Sequence, residues 1–231
     1  MEKKEFLSLN DRISIYVPSV SYNLKSDKRY LIPYADCNNV GFINNDGEII
    51  VKPKYNFFNG DIYCESDYLV VGVVKIRRFP RSNGKDALYP HNVYGILNYK
   101  GEEILKLEYY GILQSIGGKS LFTVQDEHYR YAVLDTDGNE VIPFGKYSWI
   151  DGFYHGLARV IKSCSSPVDD NKTSVGQKLW GIINEYGEEI LPLEYTSIWN
   201  FYNKGRKETR IEKNGLVKSF RLQFSDEFND D

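Results

Sequence analysis

The chain has 231 residues, of which 42% are hydrophobic, enough to pack one large domain or two small ones and to exclude wholesale disorder. Aromatic residues reach 15%, with 19 Tyr and 12 Phe against a single Met, a composition that favours pleated, half-buried surfaces over a helical bundle. A formal net charge of −3 and a pI near 5.7 leave no general electrostatic footprint for nucleic acid.

Residues 1–28 contain Ile13-Ser14-Ile15-Tyr16-Val17, a strand expected to cap the N-terminal end of the fold. The first residues show no apolar h-region of a secretory signal. No apolar run approaches the roughly 18 residues that span a bilayer. Cys37, Cys64 and Cys164 are odd in number and far apart, which argues against a disulfide framework or a zinc knuckle and for a reduced, cytoplasmic setting.

Four segments of the chain then repeat one pattern. They are Val40-Gly41-Phe42-Ile43-Asn44 with Gly47 and Tyr55, Tyr94-Gly95-Ile96-Leu97-Asn98 with Gly101 and Tyr109, Tyr131-Ala132-Val133-Leu134-Asp135 with Gly138 and Tyr147, and Trp180-Gly181-Ile182-Ile183-Asn184 with Gly187 and Tyr195. In each copy a small residue precedes the turn glycine by six positions. That glycine precedes a tyrosine by eight positions in three copies and by nine in the third. Each copy reads as a strand, a tight turn needing a positive-φ glycine, and a returning strand that Pro53, Pro143 or Pro192 ends or confines to an edge.

A further strand is predicted upstream of each hairpin, at 29–32, 68–74, 120–124 and 156–161, which makes each unit a three-stranded antiparallel meander. Two insertions, Lys75 to Val93 and Lys162 to Leu179, lengthen the repeat between the upstream strand and the main hairpin; the first includes Arg77 to Lys85, a polar turn between two strands, and the second Cys164 to Lys172. Residues 206–217 form a partial repeat at the end of an array spanning 29–217, and 218–231 form a tail.

These motifs resemble the WG-repeat proteins of bacteria, whose pattern is Trp-Gly, two hydrophobic residues, Asn or Asp, a turn Gly, Glu-hydrophobic-hydrophobic-Pro and Tyr, with Gly-Leu-Ala upstream. The fourth copy and Gly156-Leu157-Ala158 match it closely; Val40, Tyr94 and Tyr131 replace the Trp, Ala132 the Gly and Lys106 the Pro. The resemblance implies a β-repeat array and no particular activity.

No catalytic, cofactor or metal site is predicted. Gly117-Gly118-Lys119-Ser120 lacks the upstream glycine of a phosphate loop and is followed by a strand pattern, so it reads as a turn. His91, His128 and His155 are scattered and read as solvent-facing, and no nucleophile signature is present. The paired carboxylates Glu102-Glu103 and Glu188-Glu189 recur at the turn, as a solvated turn predicts.

The insertion around Lys75 holds the candidate contact residues Arg77, Arg78, Phe79 and Arg81, suited to an acidic partner surface or to phosphates, against the alternative of charges guarding a sheet edge.

The sequence therefore predicts an all-β array of tandem meanders, curved or solenoid-like, or else propeller-like. Its predicted role is a non-catalytic protein-binding or scaffold module whose partner is another protein, with no specific nucleic acid and no membrane. Two other readings stay open. One is a small-ligand or glycan-binding surface using Phe79, Trp149 and Trp199; the other is a hydrolase with carboxylates converging across repeats.

Overall fold

A computed structural model describes residues 31–36, 39–44, 47–59, 68–79, 86–164, 177–202 and 207–225. The chain divides into two compact units, Met1–Tyr110 and Gly111–Asp231.

The first unit contains two antiparallel sheets. One is β1 (Ile32–Asp36), β2 (Asn39–Ile43) and β3 (Ile49–Tyr55); the other is β4 (Phe57–Asn59), β5 (Tyr68–Phe79), β6 (Ala87–Asn98) and β7 (Glu103–Tyr109). The second unit contains three more. They are β8 (Gly111–Gln114) to β11 (Glu140–Ile142) through β9 (Phe122–Gln125) and β10 (Tyr131–Leu134); β12 (Trp149–Ile150) to β15 (Glu189–Tyr195) through β13 (Leu157–Cys164) and β14 (Gln177–Asn184); and β16 (Ser197–Ile198), β17 (Glu208–Lys213) and β18 (Leu216–Arg221). Within every sheet, strands lie side by side in chain order. The described residues are thus all-β, in repeated antiparallel meanders.

The complete sheets have four strands where the sequence predicts three. The additional strands are β4, β8, β12 and β16, each beginning two residues after the repeat tyrosine. They are two to four residues long, too short for alternation to show. Each tyrosine therefore marks the place where the chain leaves one sheet and enters the next.

The predicted strand at 29–32 begins instead at Ile32, and Arg29 and Tyr30 lie outside the described residues, as do Ile13–Val17. The insertion from Lys75 to Val93 is mostly strand: β5 and β6 pair continuously from Tyr68↔Asn98 to Phe79↔Ala87. At the C-terminal end β18 runs to Arg221, and Leu222 and Phe224 pack against the last core.

The doubled aliphatics of the repeat have a simple cause. Ile183 belongs to the core with Val133, Ile142, Tyr147, Ile150, Ala158 and Val160. Its neighbour Ile182 points the other way, into the core with Leu157, Leu191, Ile198, Phe201 and Ile211. Both faces of β14 are buried, so two adjacent residues must be apolar. Each such side chain contributes roughly 1.5–3 kcal/mol of burial. In the first unit Phe42, Val51, Tyr55, Val71 and Leu97 form the corresponding core.

Turn chemistry repeats as closely as the core. Gly47, Gly101, Gly138 and Gly187 all adopt φ between 77° and 82°, the left-handed region that glycine enters without strain. The Asn or Asp four residues before each Glu or Asn caps the turn. Asn98 Oδ1 accepts from the N–H groups of Lys100 and Glu102, and Asn184 Oδ1 from those of Tyr186 and Glu188. The Asn98 and Asn184 amides in turn donate to the carboxylates of Glu102 at 2.7 Å and Glu188 at 2.8 Å. The first carboxylate of each Glu-Glu pair is therefore a turn element.

Gly41, Gly95 and Gly181 serve a different need. The ladder skips from Trp180↔Tyr195 to Ile182↔Leu191, so residues 192–194 bulge across Gly181. A Cβ there would lie 2.8 Å from the Leu191 carbonyl oxygen; at Gly95 it would lie 2.6 Å from that of Leu105. In the third copy β11 stops at Ile142 and four residues, not three, precede Tyr147. The longer crossing coincides with the one copy that carries a methyl group, Ala132.

Candidate interaction surface

Beyond Gly72 and Tyr94, β5 and β6 leave the four-stranded sheet and continue as a two-stranded arm, with Val74↔Asn92, Ile76↔Pro90 and Arg78↔Leu88 on one face and Lys75↔His91 and Arg77↔Tyr89 on the other. Directly paired residues point to the same side of a sheet, so each face can be read from the register.

The face carrying Lys75 and Arg77 turns towards its own unit. Lys75 Nζ donates to the Leu107 carbonyl at 3.0 Å, Arg77 Nη1 donates to the Tyr110 hydroxyl at 3.3 Å, and the His91 ring stacks on Tyr110 with centroids 5.1 Å apart. The opposite face is apolar. At its base the Phe57 ring covers Gly72 and meets Tyr94 edge-on at 5.4 Å. Further out Val74, Ile76 and Leu88 are exposed by 46%, 58% and 59%, next to exposed Pro90.

The predicted contact set is thus divided. Arg77 is half-buried against Tyr110 and Arg78 is exposed on the apolar face; Phe79 pairs with Ala87, and Arg81 lies outside the described residues. Among the described residues Lys75 and Arg77 are tied to their own unit, and an apolar stripe lies exposed on the other face. Strand alternation could have revealed this, because Val74, Ile76, Leu88 and Pro90 all fall on one parity of the hairpin once its register is known.

In the second unit Arg159 sits among Trp149, Trp180 and Tyr202, its guanidinium carbon 5.7, 5.5 and 5.5 Å from the three ring centroids. It pairs with Asp151, both side chains mostly buried, and donates through Nη1 to the Ile198 carbonyl at 3.1 Å. Burial, then the Asp151 carboxylate, pushes the Tyr202 hydroxyl far above its ordinary value. Trp149 is therefore part of a packed cation–π cluster, whereas Trp199 is partly exposed. Residues 117–119 bend the loop between β8 and β9, and the Lys119 N–H donates to the buried Glu185 carboxylate at 3.0 Å. His91 and His155 are half-buried rather than solvent-facing, having packed on Tyr110 and Tyr154. Among the described residues no group of three or more His, Cys, Asp or Glu could hold a metal ion.

The repeated turn, bulge and Tyr exit agree with one family model. Residues 41–64, 131–163 and 180–216 match the WG containing repeat. No curated protein and no solved structure matches the chain. The matched stretches cover less than half of the sequence, and the hairpin at 94–109 lies outside them although it has the same bulge and turn. The stretch 131–163 takes in β10 to β13, the last two strands of one sheet and the first two of the next. A WG repeat in this chain is therefore offset from the sheets by two strands, and each repeat stitches consecutive sheets together.

Proposed function

We propose that the chain is a non-catalytic protein-binding module of WG-type β-repeats, working in a reducing cytoplasm, with the arm of β5 and β6 as its contact surface. The carrying observation is the exposed stripe of Val74, Ile76, Leu88 and Pro90 on one face of that arm. Contiguous apolar surface exposed to water is costly and marks sites that a partner covers. A protein partner is favoured over nucleic acid because Lys75 and Arg77 engage Leu107 and Tyr110 of the same chain, leaving Arg78, among the described residues, as the cation of the apolar face.

A photo-crosslinking residue at position 76 or 88, with position 129 as an exposed control, tests this in the source cell. One protein crosslinked from 76 and 88 but not from 129 supports the reading. Equal labelling from all three positions, or none from the arm, overturns it.

A further inference from the structure

We propose that the arm takes its partner by strand addition: an extended protein segment with alternating apolar residues and a carboxylate pairs with the outer edge of β5 at Ile76 and Arg78. This rests on the arm being the binding surface and adds how it binds.

The direction of the backbone groups follows from two contacts. The Asn56 N–H donates to the Gly72 carbonyl at 2.9 Å, and the Val74 N–H donates to Asn56 Oδ1 at 2.7 Å. Even-numbered residues of β5 therefore turn N–H and C=O away from β6, since both groups of an antiparallel residue face the same side. The ladder with β6 runs unbroken to Phe79, so Ile76 and Arg78 share that orientation. β4 pairs no further than Gly72, and the Asn56 side chain closes the edge only as far as Val74. Among the described residues no strand lies beside Ile76 and Arg78. Exposed backbone donors and acceptors in a strand edge are a template for another strand.

The other edge of the arm is closed to this. Pro90 pairs with Ile76, so by the same parity its nitrogen is turned outward, and proline has no N–H to offer. Among the described residues one edge of the arm is guarded and the other is open.

Side chains then define the occupant. A strand added along β5 places alternate residues on the apolar face, beside Ile76, where apolar groups would extend the stripe. Further along, the same face carries the exposed Arg78, which calls for Asp or Glu. A second copy of this arm is a poor occupant, because each antiparallel register of β5 on β5 about this edge sets two cations opposite one another: Lys75 and Arg77, Arg77 and Arg77, or Arg78 and Arg78.

The test is selection of displayed nine-residue peptides on the full chain, followed by titration of the enriched synthetic peptide. The expected peptide alternates apolar and polar residues and carries an acidic residue. Arg78→Ala should weaken it about tenfold, the scale of one charge-assisted hydrogen bond. Arg78→Pro should abolish binding while leaving the melting temperature unchanged, since that N–H is outside the β5–β6 ladder. In the wild-type protein the Ile76 and Arg78 amides should exchange more slowly with peptide bound. Binding to Arg78→Pro as strong as to Arg78→Ala, unprotected amides, or no enriched peptide each overturns strand addition. Crosslinking from positions 76 and 88 would then still show whether the arm meets a partner by its face alone.

Discussion

Arg159 holds Asp151 through two nitrogens, Nε at 2.9 Å and Nη2 at 2.6 Å from the same carboxylate oxygen. The pair is shielded from water, and the remaining Nη1 bonds Ile198 in the next sheet. Thr123 makes the comparable contact one repeat earlier, donating to the Asp151 carbonyl at 3.0 Å. The same strand position thus joins consecutive sheets in both repeats. Removing one member of a buried pair strands the other. Asp151→Ala should cost about 3–5 kcal/mol, while an apolar replacement of both partners should be far milder. Trp149, Trp180 and Trp199 are the three tryptophans of the chain and all lie in the second unit, so urea unfolding followed by tryptophan fluorescence reads that unit alone.

Gly181→Ala should destabilise the second unit by about 1–3 kcal/mol, the usual cost of overpacking, because the new methyl group meets the Leu191 carbonyl. One extra residue between Pro192 and Tyr195 should recover much of that loss by lengthening the crossing as in the third copy. Ala132→Gly should cost only about 0.5–1 kcal/mol through the unfolded chain's entropy. The same fluorescence assay separates the three outcomes.

The turn of the third copy exchanges the roles seen in the others. Asp135 accepts from the Asn139 side chain at 3.1 Å, where Asn184 donates to Glu188. Asn184→Asp would place two carboxylates together and should cost about 1 kcal/mol or more. Adding Glu188→Asn should restore stability by recreating the Asp135–Asn139 arrangement.

Burial alone would raise the Asp135 carboxyl, but hydrogen bonds from Asn139 and the turn amides outweigh it and hold the group below its ordinary value. A carboxylate with a depressed folded pKa contributes stability above its unfolded value of about 3.9, and that contribution is lost as pH falls through the folded value. The third turn should therefore loosen in acid below about pH 4. Amide exchange at Gly138, followed as the pH is lowered, checks this; protection unchanged down to pH 2 would sink it.

Tyr147 is buried, and among the described residues its hydroxyl has no hydrogen-bond partner. Burial raises its pKa. Tyr147→Phe removes an unsatisfied polar atom and should be neutral or stabilising by about 1 kcal/mol. Tyr147→Ala should instead cost about 3–5 kcal/mol, because the ring fills the core around Ile142 and Ile150. A stabilising effect of the alanine variant would contradict the packing role of the repeat tyrosine.

The sequence by itself determined the hairpins, their turns and their glycines. Those features are local: a positive φ at Gly101, an Asn98 cap reaching four residues to Glu102, and a small residue under a bulge all act within one copy. Only the tertiary structure decided where one sheet ends, because β12 and β16 have two residues each and exist through pairing with β13 and β17. It also decided which face of the arm engages its own unit. Lys75 reaches Leu107 and Arg77 reaches Tyr110 across more than thirty residues, contacts that no local pattern encodes. They tie two cations of the insertion to its own unit, beside an apolar side that stays exposed.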